Sequence, residues 1–98
     1  PIWITENGAA DNTPVVDGAC DDRLRVHYLR THLTQLSQMV ASGLDIRGYH
    51  VWSLLDNFEW AHGYTQRFGV VHVDYTTQRR TPKASARWLQ QLMSSQQP

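Results

Sequence analysis

Cysteine and lysine are the scarcest chemistry in this sequence, with Cys20 and Lys83 the single examples of each among 98 residues. One thiol excludes an internal disulfide, so nothing supports a cross-linked secreted scaffold, and a reducing, cytoplasmic setting is the expectation. Net charge is missing too, because nine basic side chains, arginine in all but one case, balance nine acidic ones. Without a basic field, no nucleic acid and no membrane surface is expected as a partner, which leaves a neutral substrate. No apolar run approaches the roughly twenty residues a bilayer span needs, and the start of the chain lacks the basic-then-apolar layout of a signal peptide. There is no Gly-rich phosphate loop, no Asn-x-Ser/Thr acceptor and no metal-ligand spacing; His27 and His32, five apart on a helix, diverge. Neither metal nor cofactor is expected. Cys20 reads as a passive surface thiol, and Arg79-Arg80 is too short for a nucleic-acid patch. A starting methionine is also absent: the chain opens inside an apolar run, so a fragment or processed chain is expected. A domain of this length buries only about 60–70% of its unfolded surface, which makes for a modest core.

What is present alternates in period. Residues 1–7 (Pro-Ile-Trp-Ile-Thr-Glu-Asn) read as a buried strand, with Ile2, Ile4 and Glu6 on one face by the two-residue repeat. Asn7 to Cys20 is rich in turn residues. Asp21 or Asp22 is placed to cap a helix over 21–42, with Leu29, Leu33, Leu36 and Val40 as its apolar stripe and Gly43 as its stop. Residues 46–54 read as a second strand, 55–69 as an aromatic and polar loop, and 70–73 as a short extended piece. A last helix over 82–93 is predicted from Thr81 as cap and Pro82 as first helical residue, with Trp88, Leu89 and Leu92 inward. The polar tail from Ser94 is expected to fray. Strand, helix, strand, helix implies right-handed parallel crossovers, and two such units leave open edges and an uncovered face. The fold class is therefore α/β, and the chain needs a partner or the rest of its own barrel.

Three segments carry candidate chemistry. Glu6 ends the first strand just before Asn7-Gly8, where a carboxylate is exposed to whatever binds at the strand tips; a strand-end glutamate taken alone is more often a capping or salt-bridged one. Trp52 ends the second strand and offers an indole face on which sugar C–H groups stack, although strand tryptophans are commonly core. Glu59 and Trp60 put a charged acceptor beside an N–H donor, a pairing that suits vicinal diols, in a loop that is otherwise a solvated feature. Two carboxyl groups about 5–5.5 Å apart are what a retaining glycosidase uses, one as nucleophile and one as acid and base.

The segments Ile4-Thr5-Glu6-Asn7-Gly8 and Trp52-Ser53-Leu54-Leu55-Asp56-Asn57-Phe58-Glu59-Trp60 resemble the nucleophile and sugar-binding motifs of glycoside hydrolase family 1, the β-glucosidases and their relatives. The resemblance extends over nearly the whole chain. It implies a (β/α)8 TIM barrel of which this chain supplies the last two strand-helix units, the C-terminal part of one catalytic domain. It implies that Glu6 forms a covalent glycosyl ester and that Trp52 floors the sugar subsite. Glu59 would hold the 4- and 6-hydroxyls, Trp60 would donate to the 3-hydroxyl, and Phe68 would line the pocket near carbon 6. Because phosphate-sugar members resemble one another in replacing this glutamate by a small residue, Glu59 implies a neutral β-glucoside or oligosaccharide such as cellobiose. The departure is one of extent. The Asn-Glu-Pro acid/base segment and the earlier strands are missing, so the isolated chain is expected to be inactive until the N-terminal portion of the same barrel is supplied. The competing expectation is a non-catalytic carbohydrate-binding or structural fragment.

Overall fold

A computed structural model describes residues 1–96. The elements follow in the order β1 (Ile2–Asn7), α1 (Arg23–Ala41), β2 (Ile46–Val51), a single 3-10 turn (Trp60–His62), β3 (Val71–Val73), β4 (Arg80–Pro82) and α2 (Ala84–Ser95). β1 and β2 pair in parallel, and β3 and β4 form a separate antiparallel pair. α1 presents Leu29, fully buried, with Leu33 and Leu36 half-buried, while Val40 at the far end of the same stripe is 47% exposed. The helix stops at Ser42, and Gly43 follows with φ 104°, where a glycine escapes the steric cost of a Cβ. α2 lies against α1, with the Arg30 guanidinium 5.9 Å from the centre of the Trp88 ring.

Three boundaries depart from the sequence reading. The second strand ends at Val51 rather than 54, because the main chain from Trp52 turns away to pair elsewhere: Ser53 exchanges hydrogen bonds with Phe68 and Val70, and Leu55 bridges Val71. Thr81 and Pro82 belong to β4, not to a helix start. Thr81 pairs with His72, Pro82 with Val71, and α2 begins after Lys83, whose extended backbone (ψ 171°) donates its N–H to Val70. α2 continues through Ser95, past the point where fraying was expected, and residues 97–98 of that tail lie outside the described residues.

Helix caps are supplied across the fold rather than locally. Asp22 sits at the N-cap of α1 but makes no capping bond there. The Asp11 carboxylate does so instead, accepting the Arg25 N–H at 3.2 Å. Asp22 in turn caps α2, accepting the Ser85 N–H at 2.9 Å and its hydroxyl at 2.6 Å. One orphan donor at each helix start is thus met by a carboxylate from earlier in the chain. That exchange locks α1, α2 and the loop after β1 into one unit.

The centre is accordingly polar. Arg25, Lys83, Asp22 and Ser85 are fully buried alongside Leu29, and Cys20 is 3% exposed, so the surface thiol expected from the sequence is an interior one. Burial pushes the Cys20 thiol up, and its sulfur donates to the Thr13 carbonyl at 3.3 Å. Buried charge is costly unless paired, and each of these groups is paired.

Candidate active site

The site begins with a bulge. In β1 the partner of Ile4 is Tyr49 and the partner of Asn7 is Val51, so three steps along β1 match two along β2. One extra residue reverses the alternation of the strand. Ile4 and Asn7 consequently share the face turned to α1, where they line a cleft with Thr31, Leu36 and Tyr49. Glu6, next to Asn7, is turned to the opposite face. It does not share a face with Ile4, as the regular repeat predicted, and it is solvent-exposed. Trp3 and His50 mark that opposite face, their rings stacked at 6.2 Å.

Trp52 joins Glu6 there. It lies two residues after His50 in the same run of chain, and the two-residue alternation puts the indole on the face that Trp3 and His50 mark. Its backbone N–H donates to the Asn7 carbonyl at 2.8 Å, so the ends of the two strands are hydrogen-bonded one residue past Glu6. The approach is close enough that a Cβ on Gly8 would overlap the Trp52 carbonyl oxygen. Only glycine fits where these two chains meet. The Trp52–Ser53 peptide bond is cis.

Trp52 Nε1 donates to Glu59 Oε2 at 3.4 Å, which brings the second carboxylate to the edge of the first indole. Glu59 is half-buried, and its N–H donates to the Gly63 carbonyl at 2.7 Å across a tight turn. Trp60 sits at the head of this turn with φ 48°, and it is 84% exposed. A positive φ at a non-glycine residue costs about 1–3 kcal/mol and concentrates at functional positions. Phe68 is half-buried and its carbonyl accepts the Ser53 N–H at 3.0 Å. Glu6, Trp52 and Glu59 are thus linked by strand pairing and a direct contact, Phe68 is tied to the residue after Trp52, and Trp60 projects freely from the turn.

The base of this loop is a buried cluster that the sequence reading passed over. Asp56 is 4% exposed and accepts four hydrogen bonds: from Lys83 Nζ (2.9 Å) and the Gly69 N–H (3.0 Å) on Oδ1, and from Arg67 (2.6 Å) and the Val73 N–H (3.2 Å) on Oδ2. Burial alone would push the Asp56 carboxyl up, but the bonds from Lys83 and Arg67 outweigh it and hold it below the usual carboxylate range. Burial also lowers Lys83, against the opposing pull of Asp56. Above the cluster Arg67 lies 4.5 Å from the Tyr75 ring centre, Tyr75 packs on Tyr64 at 4.7 Å and Tyr64 on Phe58 at 5.5 Å. Arg25 stitches the loops after β1 and β2 together, donating to the carbonyls of Ala9 (3.2 Å), Asp11 (3.2 Å) and Arg67 (2.6 Å) and to the Asp22 carboxylate (2.5 Å). The available sequence signal was Lys83 itself: a solitary lysine two residues after a threonine, in a chain otherwise supplied with arginine.

Comparison with known proteins fits this arrangement. The family model for glycosyl hydrolase family 1 matches residues 1–98. Beta-glucosidase A of Thermotoga maritima is 47% identical over 95 residues, covering 96% of this chain and 21% of that protein. A 6-phospho-beta-galactosidase of Streptococcus equi subsp. zooepidemicus is 43% identical over 94 residues, covering 96% of this chain and 20% of that one. Among solved structures, the AHE enzyme of Alicyclobacillus herbarius superposes with a TM-score of 0.97 at 44% identity, over 99% of this chain and 22% of that chain. A beta-glucosidase from Exiguobacterium marinum gives 0.96 at 43%, over 100% and 22%. The chain spans about a fifth of the length of these relatives. With its full length matched, the chain belongs to glycosyl hydrolase family 1 and is an α/β segment of that family's TIM-barrel fold.

Proposed function

We propose that this chain is the last two strand-helix units of a retaining β-glycosidase barrel, and that Glu6 is its nucleophile. The carrying observation is the hydrogen bond between Trp52 and Asn7, which accompanies the bulge that sets Glu6 and Trp52 on the same face of the sheet. In a (β/α)8 barrel the face turned from the helices is the interior, and chemistry gathers where the strands end. The Glu6 carboxylate attacks the anomeric carbon and the bond to the leaving oxygen breaks as that oxygen takes a proton from an acid supplied by the rest of the barrel. Water, deprotonated by the same group, then releases the sugar from the ester. Trp52 stacks on the pyranose face, Glu59 accepts from two hydroxyls, Trp60 donates to a third and Phe68 closes the side.

Two further details belong to this reading. The substrate is a neutral β-glucoside or a related sugar, because a Glu59 carboxylate facing a 6-phosphate would repel it. Arg67 and Lys83 are each paired with the Asp56 carboxylate. The single thiol supports a cytoplasmic setting.

The test is to complete the barrel. Joining these 98 residues to the non-matching four-fifths of Thermotoga maritima beta-glucosidase A is expected to yield hydrolysis of an aryl β-glucoside. Denaturing mass spectrometry should find a hexosyl adduct on the peptide containing Glu6, and Glu6→Gln should abolish both. A folded hybrid that hydrolyses the glucoside equally well with Glu6→Gln refutes Glu6 as nucleophile. A folded hybrid that binds glucose without turnover favours a non-catalytic carbohydrate-binding segment.

A further inference from the structure

We propose that Asn7 is a positioning residue: by bonding its side chain to Tyr28 and Tyr49 it holds the bulge that turns Glu6 to the substrate face. The inference rests on the reading of Glu6 as nucleophile. Its premise is the parity of β1. A regular strand carries Ile4 and Glu6 on one face, and that face is covered by α1, so a carboxylate there would be directed under the helix. The extra residue between Ile4 and Asn7 exchanges the two, and Asn7 occupies the helix side instead.

Every polar group of Asn7 beyond its N–H is used to keep it there. Its Nδ2 donates to the Tyr28 hydroxyl at 3.1 Å, its Oδ1 accepts from the Tyr49 hydroxyl at 2.6 Å, and its carbonyl accepts from Trp52 at 2.8 Å. The three partners come from α1, from β2 and from the residue after β2, so the anchor triangulates one backbone position from the elements around it. Burial, with Tyr28 adding to it, pushes the Tyr49 hydroxyl up to about 12. It therefore remains a neutral donor at neutral pH. An alanine at position 7 would leave both hydroxyls without this acceptor and donor and would remove the preference for this side chain over glutamate on the helix side.

The experiment uses the completed barrel described above, with Tyr49→Phe, Asn7→Ala and the double variant. Tyr49→Phe removes one oxygen and keeps the ring, and it is expected to lower kcat about tenfold with KM within about twofold. Asn7→Ala is expected to lower kcat about a hundredfold, the scale of a displaced reacting group. In the double variant the tyrosine change should add little, since both act through one contact. A residue that only stabilised the fold would lower the melting temperature, leave kcat per folded site unchanged and show no such coupling. Single variants within about twofold of the parent in kcat, in a hybrid that Glu6→Gln inactivates, overturn the positioning role while leaving the nucleophile intact. If Glu6→Gln is itself active, the nucleophile reading fails and this inference goes with it. Should Asn7→Ala not fold, Tyr49→Phe decides alone.

Discussion

The loop junction around Asp56 and Asp22 and the β1–β2 sheet are built on opposite terms. At the junction Lys83, Arg25 and Asp22 are wholly buried, and each is hydrogen-bonded within the chain. At the sheet Ile2 is 45%, Trp3 54% and Leu54, just past β2, 68% exposed. The usual distribution is inverted: charges lie inside and large apolar side chains outside. The junction is complete within 98 residues, whereas the sheet has two open edges and, opposite the face that α1 covers, exposed apolar surface such as Trp3. Local order at the candidate site is therefore a property of this segment, while enclosure of the site is not.

The largest expected effect comes from breaking the junction. Asp56→Asn keeps the shape but leaves Lys83 and Arg67 facing a neutral amide in the interior. Removing one partner of a buried pair costs about 3–5 kcal/mol, and urea denaturation of the completed barrel should show a loss of that size. Acid attacks the same cluster less severely. The folded-state pKa values of Asp56 and Asp11 both lie below normal, in each case because hydrogen bonds, from Lys83 and Arg67 for Asp56 and from Thr13 and Arg25 for Asp11, overcome the upward push of burial. Groups depressed on folding contribute stability above their unfolded pKa and lose it as pH falls through the folded value. Unfolding free energy should thus hold steady down to about pH 4 and decline below it. Asp56→Asn should flatten part of that decline; an unchanged acid limb would count against the assignment.

A smaller effect is expected from the crossed caps. Ser85→Ala removes the hydroxyl that Asp22 accepts at 2.6 Å but leaves the backbone bond at 2.9 Å. A net loss of about 1 kcal/mol is the scale of one such bond. Native-state hydrogen exchange should place that loss at the start of α2, and a uniform change across the chain would argue against a local cap.

These contrasts also separate what was legible in the sequence from what was not. The parallel pair and α1 could be read because apolar side chains repeat with a fixed period: Leu29, Leu33 and Leu36 sit where a 3.6-residue helix needs them. Glu6 was assigned the wrong face because a bulge is one residue of irregularity, invisible to a pattern that assumes strict alternation. β4 was hidden by Thr81-Pro82, whose cap-then-proline form is a sound helix signal until Lys83 is seen bonded to Asp56, 27 residues away in sequence. The nonlocal caps escaped for the same reason: Asp11 and Asp22 reach groups 14 and 63 residues distant. Local spacing encodes local structure, and the candidate site depends on contacts between loops. The family was legible from the segments around Glu6 and from Trp52 through Trp60, and the glycosyl hydrolase family 1 model matches residues 1–98.

The smallest effect in the isolated chain, and the sharpest test of the contrast, lies at the sheet. Leu54 is 68% exposed and lines an apolar groove of about 580 Å³ with Val51, Val71, Leu89 and Leu92. In the 98-residue chain by itself, Leu54→Ser removes little buried surface, so unfolding free energy should change by less than about 0.5 kcal/mol. In the completed barrel the same position would be covered. Burying a leucine is worth about 1.5–3 kcal/mol, so the identical substitution should then cost several times more. Equal effects in the two contexts would mean that the groove stays open in the completed barrel and that apolar exposure here is not a mark of missing structure. Unequal effects would identify the groove as the seam along which the segment joins its barrel.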